Sequence, residues 1–377
     1  MITGFLTIAD MTVKGLSLAL HTYPKLVKSV DKARLKRKYG EMLPTHPSAH
    51  LCVDEFSMHK GHRYATVVID WETGEILFLE EGNSGAQLLH FFEKVGWEWM
   101  KQVKSISMDM NAQYCNAIKA IYPHIAIVYD GFHIIKNFND RILTELRRLE
   151  QNSLQDIIKK CKAKIADPNK KCKGKPDKVA DPLREEIGEL RLTIKEIDAR
   201  YQMLKGTRHL ISSSREALLK KDAFAREHNR MLSDKYESKG LELPPGEFRR
   251  SIRNVQRFDD VLRTNENLSV AYFLGDQLKV SLDSISETEM REGLKQWLEL
   301  ADSYAEKIPM LKSFNKMIRT RLEGIVSRVR YPISNGPLEG VNNMIKTVRD
   351  KHLVTKMWII FFSRFGIEAE DTPRIDR

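Results

Sequence analysis

Residues 50–80 read HLCVDEFSMHKGHRYATVVIDWETGEILFLE. His50–Phe56 is an apolar strand candidate, and Tyr64–Trp71 is a second, rich in β-branched residues. Glu72-Thr73-Gly74 is a tight turn, from which Glu75–Glu80 pairs back as a third strand. Three strands in sequence with short turns make an antiparallel meander. Asp54 closes the first apolar run, Glu55 follows on the opposite face of the strand, and Asp70 ends the second strand as turn chemistry.

The pattern then changes. Ala86–Met100 carries Leu88, Leu89, Phe92, Val95 and Trp99 at helical spacing. Val103–Met108 reads as a fourth strand, Gln113–Tyr122 as a helix stopped by Pro123, Ile125–Tyr129 as a fifth strand, and a helix starts near His133. The order β-β-β-α-β-α-β-α predicts an α/β fold: a ribonuclease-H-like mixed sheet, in which a meander is extended by parallel strands reached through helical crossovers. Residues 140–330 are charged, helical in period and nearly free of strand signals, so a large all-helical insertion is expected there. Within it, the Lys-rich stretch Asp167–Asp181 reads as an exposed loop, Lys239–Glu247 as a turn-rich break, and Leu294–Ile308 as a helix with one packed face.

Ser334-Asn335-Gly336-Pro337 reads as a turn feeding a helix, with Ser334 or Asn335 as N-cap. In Leu338–Val348 the apolar residues Leu338, Val341 and Val348 take one face, and Glu339, Asn342 or Asn343, and Lys346 take the other. Residues 1–50 are helical and basic, with eight Lys/Arg against three Asp/Glu. The expected organisation is a basic helical arm at 1–49, a first core part at 50–139, the insertion at 140–330, a final helical core part at 331–366 and a tail at 367–377.

The 377 residues include 62 Lys+Arg and 51 Asp+Glu, a formal net charge of +11, which favours an anionic partner such as nucleic acid. An apolar fraction of 42% is that of a globular chain. The longest apolar runs, such as Met357–Phe362, fall far short of a membrane span, and MITGFLTIAD lacks the features of a signal peptide. A soluble cytoplasmic protein with no membrane partner is expected. Cys52, Cys115, Cys161 and Cys172 form no CxxC pair, so no structural zinc is expected. Cys52 and Cys115 read as buried thiols, Cys161 and Cys172 as exposed ones.

Asp109 repeats at the end of the fourth strand what Asp54 does at the end of the first. In the expected sheet those strands are parallel neighbours, so the two carboxylates lie side by side. Close carboxylates repel unless a cation sits between them. Hard oxygen ligands favour Mg²⁺ or Mn²⁺, and two such ions can serve phosphoryl transfer. Glu339, in the first turn of its helix, offers a third carboxylate, although a helix dipole alone would also favour it there.

DEFSMHKGHRYATVVID (54–70), SMDMNAQY (107–114), DGFHIIKN (130–137) and SNGPLEGVNNMIK (334–346) together resemble the ISL-three branch of the DDE transposases of bacterial insertion sequences, in the expected order. The resemblance implies a ribonuclease-H-like core with a helical insertion and an Asp-Asp-Glu triad of metal-binding catalytic residues, here Asp54, Asp109 and Glu339. It implies Mg-dependent cleavage of DNA at transposon ends and strand transfer into target DNA by a homodimer or higher oligomer, associated with the nucleoid. Asp109 and Glu339 are 230 residues apart, which the insertion accounts for. Asp130, in an Asp-x-x-His segment with His133, competes for the second position; sheet geometry favours Asp109, leaving Asp130 and His133 as accessory residues. Lys60, Arg63, Lys136, Asn137, Asn342, Asn343 and Lys346 are the candidate DNA contacts. Family members carry a zinc-binding segment and a helix-turn-helix before the core, whereas no cysteine pair precedes residue 50 here. The alternative expectation is therefore a truncated, catalytically impaired transposase acting as a DNA-binding protein; a third is another nuclease on the same core.

Overall fold

The computed structural model describes residues 13–27, 29–30, 33, 44, 46–59, 63–172 and 177–350. Most of the basic arm and the whole 351–377 stretch lie outside them. Helix α1 spans Val13–Ala19. Strand β1 (His50–His59) pairs antiparallel with β2 (Arg63–Asp70), which pairs antiparallel with β3 (Ile76–Glu81). The Asp70 carboxylate accepts the N–H groups of Glu72 and Thr73 at 2.8 and 2.9 Å, so it closes the hairpin turn as expected of an Asx turn.

Two helices follow, α2 (Gly85–Val95) and α3 (Trp97–Met100), where the periodicity predicts one. The break is at Gly96, whose φ of 79° is left-handed and ends α2. The chain then gives β4 (Ser105–Met108), α4 (Ala112–Ile121), β5 (Ala126–Tyr129) and α5 (Gly131–Phe138). The five strands form one mixed sheet in the order β3-β2-β1-β4-β5, with β1, β4 and β5 parallel.

A π-helical turn at Asn139–Thr144 leads to α6 (Glu145–Cys172), α7 (Asp177–Leu204) and α8 (Arg208–Ile211). Next come α9 (Arg215–Lys235), a 3₁₀ turn at Glu237–Lys239, α10 (Asn254–Thr264), α11 (Glu266–Leu282), α12 (Glu287–Ser303), α13 (Met310–Arg330) and α14 (Gly336–Asp350). The loop expected over Asp167–Asp181 is largely helical backbone: α6 runs on to Cys172 and α7 begins at Asp177. Lysine is a good helix former, and α6 and α7 pack against each other, which outweighs the local Pro and Gly signals. Cys161 is correspondingly buried rather than exposed.

The chain divides into two compact units, Met1–His133 with Arg321–Arg377, and Ile134–Thr320. In the sheet unit, Cys52, Phe56, Ala65, Val67 and Ile69 present alternate positions of β1 and β2 to Leu338 and Val341 of α14. On the opposite face Phe91 meets Phe78 and Trp99, with ring centroids 5.5 and 5.8 Å apart. Each such large apolar side chain contributes about 1.5–3 kcal/mol on burial. The end of α13 lies close on β5: a Cβ at Gly324 would stand 2.6 Å from the Tyr129 ring, so only glycine allows that approach. In the helical unit, where no described residue is in a strand, Phe138, Trp297 and Phe314 pack edge to face, and the Trp297 indole N–H donates to the Leu274 carbonyl at 2.7 Å.

Candidate acidic site at the ends of the parallel strands

The sheet register decides the site. Val53 pairs with Met108 as the last residues of the β1–β4 ladder, and Met108 pairs with Tyr129 in the β4–β5 ladder. Asp54, Asp109 and Asp130 are each one residue beyond these positions. Parallel strands stand about 4.8 Å apart, so three carboxylates line up where the parallel ladders stop. Asp109 and Asp130 follow the ends of β4 and β5, whereas Asp54 does not close its strand as expected but lies within β1, which runs on to His59 against β2. Strand ends of this kind, at the carboxyl edge of parallel strands, are where open α/β sheets bind ligands.

Asp54 lies on the face of β1 that meets α14, and its Oδ2 accepts the Asn342 side-chain N–H at 2.9 Å. Burial raises the Asp54 pKa to about 6, with the Asp109 charge adding to the rise and the Glu55 N–H and His133 opposing it. Asp109 accepts its neighbour's N–H (Met110) at 2.8 Å and faces His133 Nδ1 at 3.2 Å. That hydrogen bond, and the charges of Asp109, Asp130 and Asp54, raise the His133 pKa above its ordinary value against the effect of burial. Protonation of His133 is thus made easier by the aspartates around it.

Asp130 has a different surrounding. Its Oδ1 accepts the N–H of Phe132 at 3.0 Å at the start of α5, and its Oδ2 accepts the N–H of Asn335 at 3.1 Å. Next to it, a Cβ on Gly131 would stand 2.4 Å from the Arg328 guanidinium, so this glycine leaves space for the arginine. Arg321 donates to the Met110 carbonyl at 3.2 Å. Neither arginine carried a sequence signal, because both reach the strand ends only through the return of α13.

Glu339 is exposed in the first turn of α14. It precedes by three residues Asn342, which is 7% exposed and holds Asp54. Residues three apart share a helix face, with Cβ atoms about 5–6 Å from each other. Glu339 therefore stands one helical turn from the residue that touches Asp54. Among the described residues, no three His, Cys, Asp or Glu side chains form a group that could hold a metal ion. The donor chemistry nevertheless fits a hard divalent cation: two carboxylates side by side, one with its pKa raised by burial and like charge, and a buried Asn342 Oδ1 with no partner among the described residues.

Of the other expected DNA contacts, Asn343 is exposed on α14, Lys136 is exposed and Asn137 half-buried on α5 in the helical unit. Arg63 opens β2 and Lys346 lies in α14, but their side chains are outside what is described, as is Lys60 altogether. Glu55 points to the other sheet face, its pKa raised by burial and moderated by a bond from Asn83.

A mixed five-stranded sheet with aspartates aligned on its parallel strand ends, and a separate unit of helices, defines the class as an α/β protein with an acidic site. The family model DDE_Tnp_ISL3, described as a transposase, matches residues 51–352, and the chain belongs to this transposase family. It is 27% identical over 323 residues to the transposase for insertion sequence element IS1001 of Bordetella parapertussis, covering 86% of this chain and 61% of that protein. It is 23% identical over 296 residues to the transposase for insertion sequence element IS1557 of Mycobacterium tuberculosis, covering 78% of this chain and 54% of that protein. The chain thus spans less than two thirds of the length of these curated relatives.

Proposed function

We propose that this chain carries the catalytic core of a DNA transposase: a ribonuclease-H-like sheet, interrupted by the helical insertion, that cuts DNA at insertion-sequence ends and joins the freed 3′-hydroxyl to target DNA. The observation that supports the reading is the register that brings Asp54 and Asp109 side by side, each one residue past the last pair of the parallel β1–β4 ladder, with Asp54 bonded to the helix that bears Glu339. Family membership supports the same chemistry. The enzyme works in the cytoplasm at the nucleoid, and joining two ends calls for a homodimer or higher oligomer.

Asp54 and Asp109 would hold Mg²⁺ or Mn²⁺, with Glu339 completing the donor set for two ions. When bound, such ions activate the attacking oxygen and neutralise charge on the phosphate and leaving oxygen. The remaining work belongs to the chain. Asn342 fixes the rotamer of Asp54 by its 2.9 Å hydrogen bond, and His133 fixes that of Asp109 at 3.2 Å. Their orientation is thus set before DNA arrives, and preorganised charge costs no rearrangement at the moment of reaction. Glu339 and Asn343 are exposed on α14, where a phosphate backbone would meet them.

The test is Mg²⁺- or Mn²⁺-dependent nicking and joining of duplex DNA carrying the sequences that flank the gene. Asp54→Asn, Asp109→Asn and Glu339→Gln are each expected to lower the rate by about a thousandfold or more while DNA binding persists. Unchanged rates in Asp54→Asn and Glu339→Gln overturn the assignment. Tight, salt-sensitive binding without any metal-dependent product would favour a DNA-binding protein instead.

A further inference from the structure

Asn335 is 3% exposed and bonded in three directions. Its side-chain Oδ1 accepts the Ser107 hydroxyl of β4 at 2.7 Å. Its backbone N–H donates to Asp130 Oδ2, past the end of β5, at 3.1 Å. Its carbonyl accepts the N–H of Glu339 at 2.9 Å, the first turn of α14. One residue earlier, the Ser334 carbonyl accepts the Cys52 thiol of β1 at 3.3 Å. Two consecutive residues are thus tied to β1, β4 and the residue after β5, the same three strands that position Asp54, Asp109 and Asp130.

We propose that Asn335 is a positioning residue: with Ser107 and Asp130 as its holds, it sets the start of α14, and so the Glu339 carboxylate, against the aspartates of the parallel strands. The inference rests on the proposed function and adds to it a role for residues outside the triad. Ser107 is fully buried in a strand whose four residues are all buried, and its hydroxyl goes to Asn335. A buried hydroxyl is costly unless paired, so the bond specifies one seating of the turn rather than a range of them. Asp130 spends both carboxylate oxygens on backbone N–H groups, Phe132 on one side and Asn335 on the other. It therefore joins two chain segments. Leu338 and Ile333 are buried on either side of the turn and give it bulk adhesion, but apolar packing alone tolerates sliding along a sheet face. The directional bonds remove that freedom.

Three measurements on the full chain test this: hydrogen exchange of the α14 amides, calorimetric Mn²⁺ titration without DNA, and single-turnover cleavage of the flanking-sequence duplex. In Asn335→Ala, exchange over residues 336–343 is expected to rise about tenfold while β1 and β4 amides are unchanged. The Mn²⁺ needed for half-saturation rises, and cleavage slows about tenfold or more at unchanged DNA affinity. Ser107→Ala, a milder change, moves the same readouts in the same direction, and the double variant is no worse than Asn335→Ala alone. Unchanged exchange in both single variants overturns the latch. Faster exchange with unchanged cleavage and unchanged Mn²⁺ binding overturns its positioning role. A wild-type chain that cleaves nothing, or a Glu339→Gln variant that cleaves normally, refutes the proposed function instead, with the exchange and Mn²⁺ data still deciding whether Asn335 seats the helix.

Discussion

Asp54 and Asp109 follow the two residues of one register pair, Val53 and Met108, yet the structure gives them unlike partners. Asp54 has an amide, Asn342, and a pKa raised to about 6, first by burial; Asp109 has an imidazole, His133, at 3.2 Å. A neutral amide offers a buried carboxylate no charge to offset its desolvation, and burial is the first cause of the Asp54 rise. The His133 pKa depends first on its hydrogen bond to Asp109. Asp109→Asn removes that charge, and NMR titration of the His133 ring is expected to show its pKa falling toward the ordinary histidine value. A His133 pKa that stays raised in Asp109→Asn would show that the other aspartates, not Asp109, hold its proton. At this scale the sequence was most informative for the carboxylates, because an acidic residue after an apolar run is visible in one dimension; for Asp109 that run is the whole strand, whereas β1 continues past Asp54 to His59. Asn342 and Asn343 were indistinguishable there; the helix phase on the sheet buries the first and exposes the second.

Among the elements, α10 shows how a helix start is supplied from elsewhere. Its N-cap residue Arg253 makes no side-chain cap. Asp222 of α9, 3% exposed, accepts the N–H groups of Asn254 and Val255 at 3.2 and 3.0 Å and the Asn254 amide at 2.6 Å. Burial pushes the Asp222 pKa up, but the Val255 and Asn254 donors outweigh it and leave it below the usual value. A carboxyl whose folded pKa is depressed stabilises above its unfolded pKa of about 3.9, and that stability is lost as pH falls through the folded value. Asp222→Ala is expected to cost about 2–3 kcal/mol at pH 7 by urea unfolding. The margin of wild type over Asp222→Asn should shrink between pH 7 and pH 3; a margin independent of pH would refute the charge argument. The helical hairpin was legible in part. In α7 the buried or half-buried positions Leu183, Ile187, Leu190, Ile194, Ile197 and Tyr201 alternate by four and three residues, a heptad seam facing α6. Arg200 with Glu150 and Gln155 with Tyr201 bond across it, which makes the pair antiparallel. Local Pro, Gly and Lys signals at its turn obscured that seam, because a loop reading weighs neighbours in sequence and a heptad weighs neighbours in space.

Over the whole molecule the charge is uneven. The net is +11, yet residues 159–178 alone hold nine lysines against two aspartates, and residues 1–50 hold eight basic against three acidic residues. Neither stretch contains Asp54, Asp109 or Glu339, so the candidate acidic residues and the most basic stretches are distinct segments of the sequence. Binding to duplex DNA is then expected to be dominated by phosphates and to weaken steeply with salt. For 6–10 phosphate contacts the affinity falls about 10³- to 10⁵-fold between 50 and 200 mM salt. A gel shift whose midpoint is insensitive to salt would sink this expectation. Strand order, the helical character of the second unit and the alignment of Asp54 with Asp109 were determined by the sequence itself, since period, turn residues and carboxylates after apolar runs are local properties. Only the tertiary structure decided which residues hold that site. Ser107 and Asn335 are 228 positions apart, Asp54 and Asn342 288, and Asp130 and Asn335 205. Their pairing follows from a sheet register and a helix seating that bury these polar groups together, and burial is what makes each bond obligatory.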